Sequence, residues 1–182
     1  MIDRGAPGAD GAAAPRRAPL LITAELPQGL HDWANGLRRA HYPPERNRLP
    51  AHVTLFHALP PSAEGEVRRL LGDMARRRAP EAQVIGLMDL GQGTAFALDS
   101  PGMVDIHAEL AERLHGLIQQ RDDRDLRLHI TIQNKVPRAQ AQALQQVLAA
   151  SFVPRSFRFH GLALAHWRDE LWQQAQFYAF RG

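Results

Sequence analysis

The feature that most constrains the fold is a four-residue pattern that occurs twice, as HVTL at residues 52–55 and as HITI at residues 129–132. Each copy alternates polar and apolar residues with period 2, which is typical of a strand with one polar and one apolar face. The chain has nine His and four Thr in 182 residues, so a random order would give about 0.2 His-x-Thr triplets. Two copies are therefore well above chance.

The similarity between the two segments continues beyond the motif. A constant shift of 77 residues places Pro60 on Pro137 and Leu71 on Leu148, so strand, proline and amphipathic helix recur together. An internal repeat of this kind indicates two similar structural halves. Because period 2 sends each His and its Thr to one side of the strand, the repeat predicts a paired site near a pseudo-twofold axis.

Composition limits the remaining possibilities. A chain of 182 residues suits one domain of two lobes, and the lack of Cys excludes disulfides and thiolate metal sites and favours a cytoplasmic location. Residues 1–18 are rich in Ala, Gly, Pro and Arg, which predicts a disordered tail before a domain at residues 19–182. No apolar run approaches the roughly 20 residues that span a bilayer, so no membrane role is expected.

The order of the predicted elements favours an α+β fold. Short strands alternate with helices and hairpins, and two long strands at residues 156–165 and 171–180 close the chain. Hairpins make largely antiparallel sheets more plausible than a doubly wound parallel sheet. We therefore expect two pseudo-symmetric lobes, each a mainly antiparallel sheet with helices outside, flanking a central cleft.

The paired residues are suited to general acid and base catalysis at phosphorus. Imidazole has an ordinary pKa of about 6.5, and cleavage of a phosphodiester requires one group to activate the attacking oxygen and another to protonate the leaving oxygen. His52 and His129 are the candidates for these roles. Thr54 and Thr131 lie two residues further along, about 6.6 Å on the same strand face, where each hydroxyl can donate to a phosphate oxygen.

Strict alternation assigns further side chains to the cleft. Phe56 is expected to serve as a base-stacking platform, Gln133 as a hydrogen-bonding group and Lys135 as a phosphate clamp. His57 has the parity of the core and is expected to be structural.

Residues on the loops complete the set of candidates. Tyr42 and Trp167 are candidates to stack on a nucleobase, and Arg46 is a candidate substrate-binding cation. The formal net charge of +3 is compatible with an anionic substrate.

Other chemistries have weaker support. Convergence of His52, His57, His107 and His129 on zinc is disfavoured, because there is no HExxH-type spacing and period 2 turns His52 and His57 to opposite faces. No metal or cofactor is therefore expected. The chain also lacks a G-x-S-x-G elbow, a P-loop and a GxGxxG fingerprint.

With both motifs in place, AHVTLFHALP and LHITIQNKVP, the chain resembles the two-histidine phosphoesterase superfamily and its bacterial 2′-5′ RNA ligase-like branch over about residues 19–182. The resemblance implies two pseudo-symmetric α+β lobes around a cleft. It also implies that His52 and His129 act as acid and base, and that Thr54 and Thr131 bind phosphate, without metal or ATP. Members of the family hydrolyse 2′,3′-cyclic phosphates, trim RNA ends or reversibly join 2′-5′ linkages.

Three functions remain open at this point. The first is a cyclic phosphodiesterase that opens the 2′,3′-cyclic phosphates of RNA ends or small nucleotides. The second is 2′-5′ RNA ligation or its reversal. The third is a binding module that holds RNA or another phosphorylated ligand without turnover. Near-equivalent motifs leave open which His is the acid and which is the base.

Overall fold

The structure, a computed structural model, describes residues 19–118, 126–168 and 171–182. The tail expected at residues 1–18 lies outside the described residues.

The described chain folds into eight strands and four helices. In chain order these are β1 (Leu20–Glu25), α1 (Gln28–His41), β2 (Val53–Leu59), α2 (Glu64–Ala75), β3 (Glu81–Asp89), β4 (Gly93–Asp99), α3 (Pro101–Arg113), β5 (His129–Asn134), α4 (Arg138–Ala150), β6 (Arg155–Arg158), β7 (Gly161–Arg168) and β8 (Leu171–Ala179). Short 3-10 turns at Pro44–Arg46 and Pro61–Ala63 flank β2.

The strands form two sheets of four with matching topology. One sheet has the order β2-β1-β7-β8 and the other the order β5-β4-β3-β6, and every pairing within them is antiparallel. The first two strands of each order correspond to each other: β2 is equivalent to β5, and β1 is equivalent to β4. The predicted α+β fold with two pseudo-symmetric lobes is confirmed. None of the described helices is long and apolar enough to cross a membrane.

The helices bury the apolar faces that their sequences carry. In α2 the side chains of Val67, Leu70, Leu71 and Met74 are buried, with the spacing of one helical face. Helix α1 lies between β1 and β2 in the chain but packs against β5 of the other sheet. The first lobe therefore reaches across to the second motif strand.

The strand expected at residues 156–165 is wrong as a single element. It divides into β6, which pairs with β3, and β7, which pairs with β1 in the other sheet. At the crossing, the Phe159 amide donates to the carbonyl of Pro80, and the His160 amide donates to the carbonyl of Glu25. A continuous β pattern is compatible with one strand or with two that change partners, so periodicity alone could not reveal the division.

Candidate active site

The two motif strands meet between the lobes. β2 and β5 each lie at the end of their sheet, and they contact each other. His52 immediately precedes β2, whereas His129 begins β5. His52, Thr54, His129 and Thr131 are all half-buried, and His52 and Thr131 line the same cleft.

A β-bulge occurs at the same place in both motif strands. In the first sheet Ile22 lies opposite Phe56 while Thr23 lies opposite Thr54, so Leu55 is an extra residue. In the second sheet Thr94 lies opposite Gln133. The next residue, Ala95, lies opposite Thr131, so Ile132 is the extra residue. Ile132 follows Leu55 by the 77 residues of the sequence repeat. A bulge inverts the facing of every residue beyond it, so the alternation argument fails after each Thr.

The bulges correct two predicted site residues. Phe56 is 0% exposed and stacks on His107, with ring centroids 4.5 Å apart, so it is a core residue and not a stacking platform in the cleft. Gln133 is 1% exposed and does not face the cleft either. His57 and Asn134, which follow the bulges, are half-buried instead. The prediction that His57 has the parity of the core is also wrong.

The parity argument for Lys135 does not hold either. β5 ends at Asn134, and Lys135 is exposed with a backbone φ of +58° in the left-handed region. Its amide donates to Oδ1 of Asn134 at 2.8 Å. Asn134, not Lys135, lines the cleft next to Thr131.

Both motif imidazoles are oriented by equivalent hydrogen bonds. Nδ1 of His52 lies 2.7 Å from the carbonyl oxygen of Pro50, and Nδ1 of His129 lies 2.6 Å from that of Arg127. A carbonyl only accepts, so each Nδ1 carries the proton and donates. Each Nε2 is therefore left to accept a proton from the neutral ring or to donate one from the charged ring.

The surroundings of His52 favour its neutral form. Desolvation is the largest cause of a shift that lowers the pKa of His52 from 6.5 to about 4. The charges of Arg38, His129 and His57 lower it further, and the bond to Pro50 acts in the opposite direction. At neutral pH the Nε2 of His52 is thus a proton acceptor.

The cleft beside His52 and Thr131 has a volume of about 280 Å³. Three residues that the sequence placed only as candidates line it, namely Tyr42, Arg46 and Trp167. A larger depression of about 530 Å³ between β3 and β6 contains none of the motif residues, and we do not associate it with the chemistry.

The structure adds cleft residues that the sequence did not single out. They are Arg38, Arg48, Leu49, Asn134 and Trp172. Trp172 pairs with Trp167 across the β7–β8 hairpin, edge to face, with ring centroids 5.3 Å apart. Arg38 could have been noticed from its spacing, because it follows Leu30 and Ala34 at intervals of four on the buried face of α1.

One argument against a zinc site, that His52 and His57 point to opposite faces of the strand, is wrong. The bulge brings His57 near enough to His52 for the charge of one ring to influence the other. Within the described ranges, however, no three His, Asp or Glu side chains gather as metal ligands.

Comparison with known proteins decides the family. A family model described as the 2′-5′ RNA ligase superfamily matches residues 26–171, which include both motifs. The chain belongs to the 2′-5′ RNA ligase superfamily. A search of the curated proteins found no match.

Solved structures share the fold of this superfamily member. TT0787 of Thermus thermophilus is 17% identical, with a TM-score of 0.61 over 90% of this chain and 98% of that one. E. coli LigT complexed with 3′-AMP is 16% identical, with a TM-score of 0.60 over 91% and 99%. A structure described as a phosphoesterase is 18% identical, with a TM-score of 0.58 over 91% and 99%. At these identities the likeness concerns the fold.

Proposed function

We propose that the protein is a phosphoesterase that hydrolyses 2′,3′-cyclic phosphates of RNA ends or small nucleotides. The observation that carries the proposal is the matched pair of imidazoles. Two histidines on facing motif strands are held by equivalent Nδ1 hydrogen bonds, and each has a Thr two residues further along. A phosphate between the strands would meet one acid, one base and two hydroxyl donors.

We assign the base in ring opening to His52. Its low pKa keeps Nε2 unprotonated at neutral pH, so it can accept a proton from water as the new O–P bond forms. His129 then donates its Nε2 proton to the ribose oxygen whose bond to phosphorus breaks. The product is a ribose phosphate monoester with one free hydroxyl, and the two histidines exchange roles in the reverse reaction.

Thr54 and Thr131 are proposed to bind the non-bridging phosphate oxygens. Hydroxyl donors that are already oriented stabilise charge on those oxygens in the transition state without further reorganisation. This proposal assigns no step to a metal ion or to ATP, so turnover should persist in EDTA.

The base and ribose of the substrate are proposed to lie against the aromatic residues of the cleft. Trp167, 39% exposed, and Trp172 supply a surface for stacking, and Tyr42 and Arg46 line the same cavity. E. coli LigT has been crystallised with 3′-AMP, which is a product of cyclic phosphate opening, and this supports a nucleotide in the cleft. Lys135 remains a candidate for a phosphate further along the substrate.

The test is turnover of nucleoside 2′,3′-cyclic monophosphates, and of a short RNA with a cyclic phosphate end, in the presence of EDTA. Wild type should release a 2′- or 3′-phosphate. Replacing His52 or His129 by Ala should lower the rate by roughly 10² to 10⁴. The exposed His115 provides the matched control, and His115→Ala should retain wild-type activity. Equal activity of all four proteins would refute the assignment.

The same preparation distinguishes the other functions. Joining of RNA halves through a 2′-5′ linkage, or cleavage of such a linkage, would identify a ligase-type activity. Tight binding of 3′-AMP that is unaffected by His129→Ala, with no turnover of any substrate, would identify a binding protein instead.

A further inference from the structure

Arg38 occupies a position where a charged side chain is costly. It is 4% exposed and continues the buried face of α1. Within the described part of the chain, no carboxylate lies at ion-pair distance from its guanidinium, and Nε has no hydrogen-bond partner. A buried charge without a counterion is destabilising, so a purely structural role would be served better by an apolar residue.

The contacts of Arg38 join both half-sites. Nη1 donates to the carbonyl oxygen of Thr131 on β5 at 2.6 Å. Nη2 donates to the carbonyl of Leu49 at 2.8 Å and to Oδ1 of Asn47 at 2.7 Å. Leu49 directly precedes Pro50, whose carbonyl orients the imidazole of His52. One planar group thus connects the backbone beside His52 with the backbone of the second motif strand.

The guanidinium also borders the cleft itself. It lies 4.5 Å from the centre of the Tyr42 ring, and both residues line the cavity with His52 and Thr131. The positive charge therefore lies beside the cleft, and no carboxylate of the described residues forms an ion pair with it.

The position equivalent to Arg38 in the other lobe is held by an apolar residue. β1 and β4 pair with their motif strands in equivalent registers. Thr23 of β1 lies opposite Thr54, and Ala95 of β4 lies opposite Thr131. Ala95 is therefore the equivalent of Thr23, 72 residues further along the chain. The same shift places Arg38 on Leu110 of α3, which is apolar and buried. The pseudo-symmetry of the motifs is therefore broken at this residue.

We propose that Arg38 is a positioning residue, which holds the two motif strands at their working separation and makes the two half-sites electrostatically unequal. The inference rests on the proposed function for its catalytic consequence. The groups whose charges act on His52 are Arg38 from α1, His129 from β5 and His57 from β2. Arg38 is permanently charged, so it biases His52 toward the neutral form at every working pH.

The experiment compares Arg38→Met, Arg38→Lys and the control Arg39→Met. Arg39 is adjacent on α1 and carries the same charge, but it is exposed. Two quantities are measured for each protein: the titration of His52 by NMR without substrate, and the pH profiles of kcat and KM for 2′,3′-cyclic AMP.

Arg38→Met should raise the pKa of His52, move the acidic limb of the kcat profile upward and lower kcat by about 10²-fold, the cost of a misplacement near 1 Å. Arg38→Lys retains a charge but not the planar fork, so it should keep the His52 titration near that of wild type while kcat still falls. Arg39→Met should match wild type in both measurements.

Several results would overturn the inference. A folded Arg38→Met protein with wild-type His52 titration and kcat would show that Arg38 is only structural. If the Met variant does not fold, wild-type kcat in Arg38→Lys would refute the positioning role. If wild type opens no cyclic phosphate, the proposed function fails separately. The inference is then refuted by unchanged His52 titration and unchanged amide shifts over residues 129–134 in the Arg38 variants.

Discussion

The low pKa of His52 makes the stability of the folded protein depend on pH. The unfolded chain takes up a proton at this residue near pH 6.5, whereas the native state stays neutral until about pH 4. Between these values the unfolded state binds more protons, so the free energy of unfolding falls as the pH falls. Each unit of pKa difference corresponds to about 1.4 kcal/mol.

The size of the effect can be worked out for two accessible conditions. With pKa values of 6.5 and about 4, this one residue lowers the free energy of unfolding by about 2 kcal/mol between pH 7 and pH 5. That is a large part of the stability of a typical domain, which is about 5–15 kcal/mol.

Urea denaturation at pH 7 and pH 5 measures this difference in wild type, His52→Gln and the control His115→Gln. Wild type should lose about 2 kcal/mol more than His52→Gln between the two pH values. His115 is exposed beyond the end of α3, so its variant should behave as wild type does. Equal losses in wild type and His52→Gln would show that His52 is not desolvated in the native state, and would remove the basis for assigning it as the base.

Three further predictions follow from packing and from the cleft. Phe56→Ala should lower the free energy of unfolding by about 3–5 kcal/mol in urea titrations, because the ring is buried. A loss of stability as small as that for truncation of an exposed side chain would contradict its place in the core. Gly161→Ala should cost about 1–3 kcal/mol by the same assay, because a Cβ there would overlap the carbonyl of Tyr178, and wild-type stability would argue against that close approach. Trp172→Ala should raise KM for 2′,3′-cyclic AMP by roughly tenfold or more with little change in kcat, and an unchanged KM would exclude stacking at this residue.

Local pattern was sufficient to predict the α+β fold, the repeat and the two-lobed arrangement. Amphipathic spacing and turn residues act over a few positions, so they can be read directly from the chain. The pairing of His52 with His129 also follows from sequence, because duplicated halves place equivalent strands in equivalent positions.

Local pattern could not predict which side of the strand the residues beyond each motif face. Strict alternation of facing predicts that Phe56, Gln133 and Lys135 lie in the cleft. Whether a strand contains a bulge depends on its register with a neighbouring strand, which is a long-range property. The repeated bulge instead buries Phe56 and Gln133 and leaves Asn134 beside the cleft.

What the chain encodes locally is therefore the pair of motif strands and the chemistry of their side chains. Three-dimensional packing supplies the asymmetry between them. The approach of α1 to β5 buries Arg38 against Leu49, 11 residues away, and against Thr131, 93 residues away. Because burial and electrostatic effects depend on every group nearby in space, the low pKa of His52 is a property of the folded molecule rather than of its motif.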